Sequence, residues 1–509
     1  MRLPAFIFVL ALLVTTQFFF STLGVLAILL STAFIAITVY RPLLTLAFLA
    51  VYLPFETIIL KFTPDEIYVF ARFFSEGLIY LLGAIVVWRV LAGVTKPRST
   101  SLDLPFILFC IILVSSAIIN AVPPSVAILG MRQIIRFILV FFIVIYLKPD
   151  REYVKRLTFI MLGVVGFESL LGITQSFVGT PLDEILIPSD TRSFGELTLT
   201  GGVTQFWDPG SRIFATLGRY DRLGNFLYFF LLIGVGMYYQ LRSSAQTIAK
   251  RHITWRHDIF ALFGLGIPAL VLTYSRASWF AFLLGVVFIG IYLHRDRRIT
   301  IAIVSFVAFA GLYLGVTGLN VRFITEAPGQ TLVERFYEAF SYARWRGEYY
   351  GLGRLFWMVQ TPLTVIPASP LFGFGPGQFG GGAVAALGNT KVYEQLGLPF
   401  GVFGTEGIID NNWFSLWGET GTLGMIFFLW VYIALFRECL RVYRRSDDPF
   451  VRALASGVAA AMIGIALNAF LSTVFEIRTL AFYLWLYGGF VVVLSDQHRP
   501  RPPSMQRRD

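Results

Sequence analysis

The sequence is short of the residues that most enzymes use for acid–base, thiol or metal chemistry. Its 509 residues include two cysteines, Cys110 and Cys439, both in or at the end of apolar segments. They form neither a disulfide framework nor a zinc-ligand spacing. Only four histidines occur, His252, His257, His294 and His498. Charge is sparse at 14% of residues, and lysine supplies six of the 41 cations. No glycine-lysine phosphate loop of the Walker type is present, which argues against an ATP-driven pump.

What the chain has instead is apolar length. Hydrophobic residues make up 56% of it, and mean hydropathy is +0.72. A water-soluble domain of this size carries far more polar surface, so the composition predicts an all-α polytopic membrane protein. Net charge is +11. The cations are dispersed between apolar stretches, so they mark topology and do not form a nucleic-acid face.

A membrane-crossing helix needs about 20 apolar residues. Candidate spans are 4–21, 23–40, 43–60, 75–94, 102–120, 132–148, 156–178, 223–241, 258–274, 277–294, 299–317, 414–436, 450–473 and 478–495. The range is 12–14 transmembrane helices with a best count of 14, because only Ser21 and Thr22 separate the first two. Met1-Arg2 leads into an apolar run without a small-x-small cleavage site, which predicts a retained first helix. One alternate set of short loops carries Arg41, Arg98, Arg151, Arg256, Arg295, Arg298, Arg441 and Arg445. With the best count these fall on one side, predicted cytoplasmic, and both termini lie there.

The opposite side then holds two long segments. The resulting organisation is 1–178 N-terminal helices, 179–222 a first outer segment, 223–317 central helices, 318–413 a large, partly helical outer loop expected to be catalytic, 414–496 C-terminal helices and 497–509 a tail. Long loops are usually functional or disordered. These are rich in aromatics and glycine, which favours order.

In this topology all four histidines map to the cytoplasmic side, and neither outer loop has a cysteine. Ser-His-Asp, thiol and zinc hydrolysis at the outer face are therefore excluded. That face offers Arg212, Arg219, Arg276, Arg322, Arg335, Arg344, Arg346 and Arg354, with a late carboxylate at Asp410. Arg276 stands between two apolar runs, where a charge is costly and marks function by default. A guanidinium matches pyrophosphate through two parallel hydrogen bonds. Several of them suit a pyrophosphate whose lipid tail lies in the bilayer, and they would stabilise charge on the departing phosphate. Asp410 would remove the proton from an attacking hydroxyl.

Plainer readings compete. Arg322, Arg335, Arg344 and Arg346 also read as solvated or locally paired. A snorkelling Arg276, and an anchoring Arg132 and Arg136, are the corresponding alternatives. Glu168, in mid-span, is expected to face the bundle interior and either pair with an arginine or line the site. Glu56 is read the same way, and Asp65-Glu66 as a solvated loop.

Four stretches carry a family resemblance. They are Arg212 through Asn225, Tyr274-Ser275-Arg276, Ser369 through Phe379, and Asp410 through Gly424. In this order and membrane placement the chain resembles the O-antigen polymerase and O-antigen ligase superfamily of bacterial envelope glycosyltransferases. The resemblance implies a GT-C-like fold in the bacterial inner membrane, with the active site at the periplasmic face. It also implies glycan transfer from undecaprenyl pyrophosphate to a sugar hydroxyl, without metal or cofactor.

By the same resemblance Arg276 would bind donor pyrophosphate, and Arg212 or Arg219 would be a second phosphate ligand. Asp410 would be the base, and Tyr274, Arg354 and Asn411 are further candidates for substrate contact. Ligases usually have histidine where this chain has Asp410, so the pattern looks more like a polymerase. The expected partners are the lipid-linked glycan, membrane lipids, a chain-length regulator and a flippase.

Alternatives remain at this stage. Asp410 would also suit an N-cap for the helix beginning near Trp413. Glu419 is expected to orient an arginine. Gly373, Gly375 and Gly377 predict a tight turn. Trp345, Tyr349, Tyr350, Phe356, Trp357, Phe372 and Phe379 suit sugar stacking or an interfacial platform. A ligase is the close functional alternative, and a lipid-linked oligosaccharide flippase is one of another class.

Overall fold

A backbone in hydrocarbon must satisfy its own hydrogen bonds, so the apolar runs fold as helices. The computed structural model describes residues 22–188, 191–194, 197–200, 212–244, 253–316, 332–401 and 407–497. Every predicted span from 23–40 onward meets a helix, whereas 4–21 lies outside the described residues. Among the described residues nine helices are long and apolar enough to cross a membrane, or ten if one bent pair counts as a single span. The chain divides into two compact units, Met1–Pro97 and Arg98–Asp509.

The first unit contains α1 (Thr22–Tyr40), α2 (Pro42–Lys61) and α3 (Asp65–Leu91). Asp65 and Glu66, expected in a loop, open α3 instead. Acids in a first turn complement the helix dipole. Glu56, expected to pair with an arginine or line a site, accepts a hydrogen bond from Ser75.

The second unit begins with α4 (Asp103–Ile119). The bent pair α5 (Pro124–Ile135) and α6 (Ile138–Leu147) follows, at 57° to one another. Next come α7 (Arg151–Val178), α8 (Thr180–Leu186), and a short antiparallel hairpin, β1 (Thr191–Phe194) with β2 (Leu197–Thr200). The other regular elements among the described residues are helices. α9 (Tyr220–Ser244), α10 (Ile253–Leu272), α11 (Arg276–Val287, continuing as a π-helix to Leu293) and α12 (Arg297–Val316) follow. The large loop holds short helices, including α13 (Leu332–Tyr337), α14 (Tyr342–Tyr350), α15 (Arg354–Gln360), α16 (Gly382–Leu387) and α17 (Lys391–Leu396). The chain closes with α18 (Asn412–Arg445), α19 (Pro449–Asn468) and α20 (Arg478–Gln497).

The small-residue helix α19 is the hub of this unit, packing against α9, α11 and α18. A Cβ on Gly457 would stand 2.5 Å from Ile233 Cα, and one on Gly236 would stand 2.4 Å from the Ala453 carbonyl oxygen. Small residues let backbones approach where lipid supplies no hydrophobic drive between helices.

α18 is interrupted at Gly421, which has φ 67° and ψ −173°. The break frees backbone groups that need partners. The large loop supplies them. Phe374 N and Gly375 N donate to the carbonyls of Gly418 and Glu419, both at 2.9 Å. Thr422 N and Leu423 N donate to Pro370 O and Leu371 O at 2.9 and 3.2 Å. Gly373, at φ 64°, lies where a Cβ would meet Gly421 N at 2.5 Å. The expected tight glycine turn is thus a graft of the loop onto a broken helix.

The loop also has its own apolar core. Trp357, Phe374, Phe379, Val384, Val392, Tyr393 and Ile409 are buried together. Trp357 and Phe379, expected to stack on sugar or lipid, are packing residues instead. Tyr350 and Trp345 remain exposed.

Candidate active site

The turn between α10 and α11 sets the first arginine. Tyr274 takes a left-handed φ of 53°, uncommon for a residue with a side chain. Trp279 Nε1 donates to the Leu270 carbonyl at 2.8 Å and ties the turn. Ser275 occupies the N-cap position and Arg276 begins α11. A cation there opposes the helix dipole. Glu338 offsets it, with Arg276 Nη1 and Glu338 Oε2 3.0 Å apart. The Tyr274 ring neighbours Trp279, with centroids 6.3 Å apart.

Glu338 is the acceptor for three guanidiniums. Besides Arg276 it meets Arg335 Nη1 at 3.1 Å and Arg344 Nη1 at 3.7 Å, and it is 2% exposed. Arg344 also pairs with Glu348. Burial, and then the neighbouring Arg212 guanidinium, push Arg335 below the usual arginine range against the pull of Glu338. Arg346 lies apart, exposed and stacked over Tyr350, and Arg322 falls outside the described residues.

Glu348 links this group to the next. Its carboxylate accepts from Arg354 N at 3.1 Å. The Arg354 Nη2 donor reaches Asp410 Oδ2 at 3.3 Å. Burial would depress Arg354, but Asp410 and then Glu348 hold it above its ordinary range. Arg219 Nε pairs with Asp221 Oδ1 at 3.0 Å. Asp221 pushes Arg219 up against the effect of burial, and Asp410 adds to the rise. Arg212 stacks over the Tyr220 ring at 4.4 Å.

Arg212, Arg219, Arg276, Arg354 and Asp410 therefore stand within electrostatic reach of one another, joined by Arg335, Arg344, Glu338 and Glu348. Buried polar groups are almost always satisfied. Yet Arg212 Nη1 and Arg354 Nε are buried donors that meet no acceptor among the described residues.

Asp410 does not cap its helix. Asn411 does, accepting from Phe414 N at 3.1 Å. Asn411 is fully buried, so it holds the helix start and leaves Asp410 turned outward, its side chain 43% exposed. Asn412 N donates to Ala469 O at 2.7 Å and fixes this end of α18 to the end of α19. Beneath the cluster, Asn468 Nδ2 and Ser278 Oγ both donate to Asn225 Oδ1, at 2.9 and 3.2 Å.

Glu419 behaves differently from expectation. It accepts from Gly377 N at 2.9 Å instead of orienting an arginine. It shares a small cavity with Glu476, Gln133, Asn412 and Ser415. Glu476 accepts from Gly382 N at 2.9 Å and from Gln133. Burial pushes its carboxyl above the usual range, although Gly382, Arg136 and Gln133 favour the charged form. Arg136 donates to the Glu476 carbonyl at 3.2 Å, which anchors that loop. The two carboxyls hold the glycine turn onto the helices.

The acceptor residue Glu338 was missed by sequence reasoning. Arg335/Glu338 and Arg344/Glu348 have helical i,i+3 and i,i+4 spacing, a readable signal for local pairs. Nothing in the sequence announces the pairing of Glu338 with Arg276.

Residues 261–429 match the family model described as O-antigen ligase. No curated protein matches the chain. The matched segment carries Arg276, Arg335, Arg344, Arg354 and Asp410, while Arg212 and Arg219 precede it. Residues 261–429 are thus similar to the O-antigen ligase family, and the apolar helices among the described residues are those of a multi-pass membrane protein.

Proposed function

We propose that this protein is a glycan polymerase of the bacterial inner membrane. It transfers glycan from undecaprenyl pyrophosphate to a sugar hydroxyl of another lipid-linked unit, at the periplasmic face. The observation that carries this reading is the Arg354–Asp410 pair, 3.3 Å apart, inside a cluster of arginines at one end of the helices. Asp410 takes the proton of the acceptor hydroxyl. The hydroxyl oxygen attacks the anomeric carbon, and the bond from that carbon to the pyrophosphate oxygen breaks. The electron pair leaves with the pyrophosphate.

Arg276, Arg212, Arg219 and Arg354 hold that growing negative charge with donors already in place. The partnerless donors of Arg212 and Arg354 favour an anionic ligand here. A carboxylate acting as base, not as nucleophile, gives one displacement and inverted configuration. Positive charge comes from guanidiniums, so the reaction is metal-independent in this reading. The matched family model is described as ligase, and this favours the second reading, transfer to lipid A–core or another acceptor.

The test uses the full-length protein in nanodiscs with undecaprenyl-pyrophosphate repeat units and EDTA. Wild type is expected to extend chains. Arg276→Ala and Asp410→Asn are each expected to lower the rate on the order of a hundred-fold or more, with normal accumulation in the membrane. Wild-type chain ladders from either variant would remove that residue's role. Strict dependence on added Mg²⁺ would overturn metal independence. Transfer to added lipid A–core in place of chain extension would establish the ligase.

A further inference from the structure

Arg212 and Arg219 flank a short segment whose apolar residues Ile213, Phe214, Ala215 and Leu217 are buried, but apolar burial alone does not fix its backbone. Ala215 within it takes a left-handed φ of 47°, a conformation that persists only when the surroundings enforce it. The surroundings are two polar side chains on α7. Glu168 Oε2 accepts from Thr216 N at 3.1 Å, and Glu168 Oε1 accepts from Thr216 Oγ1 at 2.5 Å. Gln175 Oε1 accepts from Phe214 N at 3.0 Å and Ala215 N at 2.9 Å. Gln175 Nε2 donates to Asp183 Oδ1 at 2.7 Å, which fixes the amide's orientation.

Glu168 and Gln175 are seven positions apart, two helical turns on one face. Between them Gly172 lets the segment lie flat, since a Cβ there would stand 2.7 Å from Ile213 Cδ1. Three consecutive amides are thus claimed by α7. Glu168 and Gln175 are 0% and 1% exposed. A buried polar network that is fully satisfied specifies geometry.

We propose that Glu168 and Gln175 are positioning residues for the pyrophosphate site: they set where the Arg212 and Arg219 guanidiniums stand. This rests on the donor-binding reading of the arginine cluster. The full-length protein in nanodiscs is titrated with inorganic pyrophosphate by calorimetry, and its thermal midpoint is measured in parallel. Glu168→Leu removes both acceptors. It is expected to weaken pyrophosphate binding on the order of ten-fold or more, while Glu168→Gln, which keeps an acceptor, recovers most of it. Thr216→Val removes one bond from the loop side and decides the matter if Glu168→Leu fails to fold; a few-fold loss is expected.

A purely structural role would lower the midpoint and leave the affinity of the folded protein unchanged, and that result overturns the proposal. Arg276→Ala separates the two claims. If it binds pyrophosphate like wild type, the donor-site reading fails with it. If Arg276→Ala loses binding while Glu168→Leu and Thr216→Val keep it, only the positioning role fails.

Discussion

Asp410 and Asn411 are adjacent in sequence and divide two tasks. Asn411 takes the helix N-cap and is buried, whereas Asp410 faces Arg354 and remains accessible. The two are therefore separable by mutation. Asn411→Ala is expected to cost about 1 kcal/mol of stability through the lost cap, with most of it regained in Asn411→Asp. Asp410→Asn is expected to leave the thermal midpoint near that of wild type while activity falls. Equal midpoints for Asn411→Ala and wild type would count against the capping assignment. Asp and Asn rank together as N-caps, and sequence reasoning weighed the cap only for Asp410. Only the backbone at Asn411, with φ −157° and ψ 101°, selects between them.

At the scale of elements, the interruption of α18 joins the large loop to the bundle. Gly421→Ala would force a side chain into a left-handed backbone, at about 1–2 kcal/mol. It would also place a Cβ 2.4 Å from Gly373 N. The expected outcome is a folded bundle with a released loop: faster proteolytic cleavage between α15 and α17, and loss of activity. Unchanged protease resistance would mean that the loop is held by other contacts. The helices themselves were legible in the sequence, because apolar runs of membrane length leave a backbone few alternatives. The glycine motif was legible as a turn. Its partner was not, since main-chain hydrogen bonds across a helix break depend on neither residue pattern nor spacing. The aromatic loop residues misled for a related reason. Trp357 and Phe379 bury as readily as they stack, and composition does not distinguish the two.

At the scale of the molecule, the second unit is polarised. The arginine cluster gathers at the starts of α9, α11 and α18. At the other ends of these helices, the His294 ring stacks on Tyr239 with centroids 4.4 Å apart. Arg151, opening α7, pairs with Asp448 ahead of α19. Arg295, Arg298, Arg441 and Arg445, expected at the cytoplasm, also lie toward this second end. Tyr350→Cys, at a site 72% exposed on the cluster side, is expected to react with a membrane-impermeant maleimide added outside spheroplasts. Arg441→Cys is expected to react only after permeabilisation, both in a background lacking Cys110 and Cys439. The reverse pattern would invert the orientation. Convergence of the cluster was legible only as a set of candidates on one face; the distances come from the folding of α13 through α15 against α11, which no local pattern encodes.

The graft of the loop onto α18 also imposes an order on biosynthesis. Pro370 through Gly375 leave the ribosome before Gly418 through Leu423. Until α18 has been made and has broken at Gly421, the amides of Phe374 and Gly375 have no carbonyl to meet. A nascent chain halted just before α18 carries every arginine of the cluster and Asp410 as well, but no assembled site.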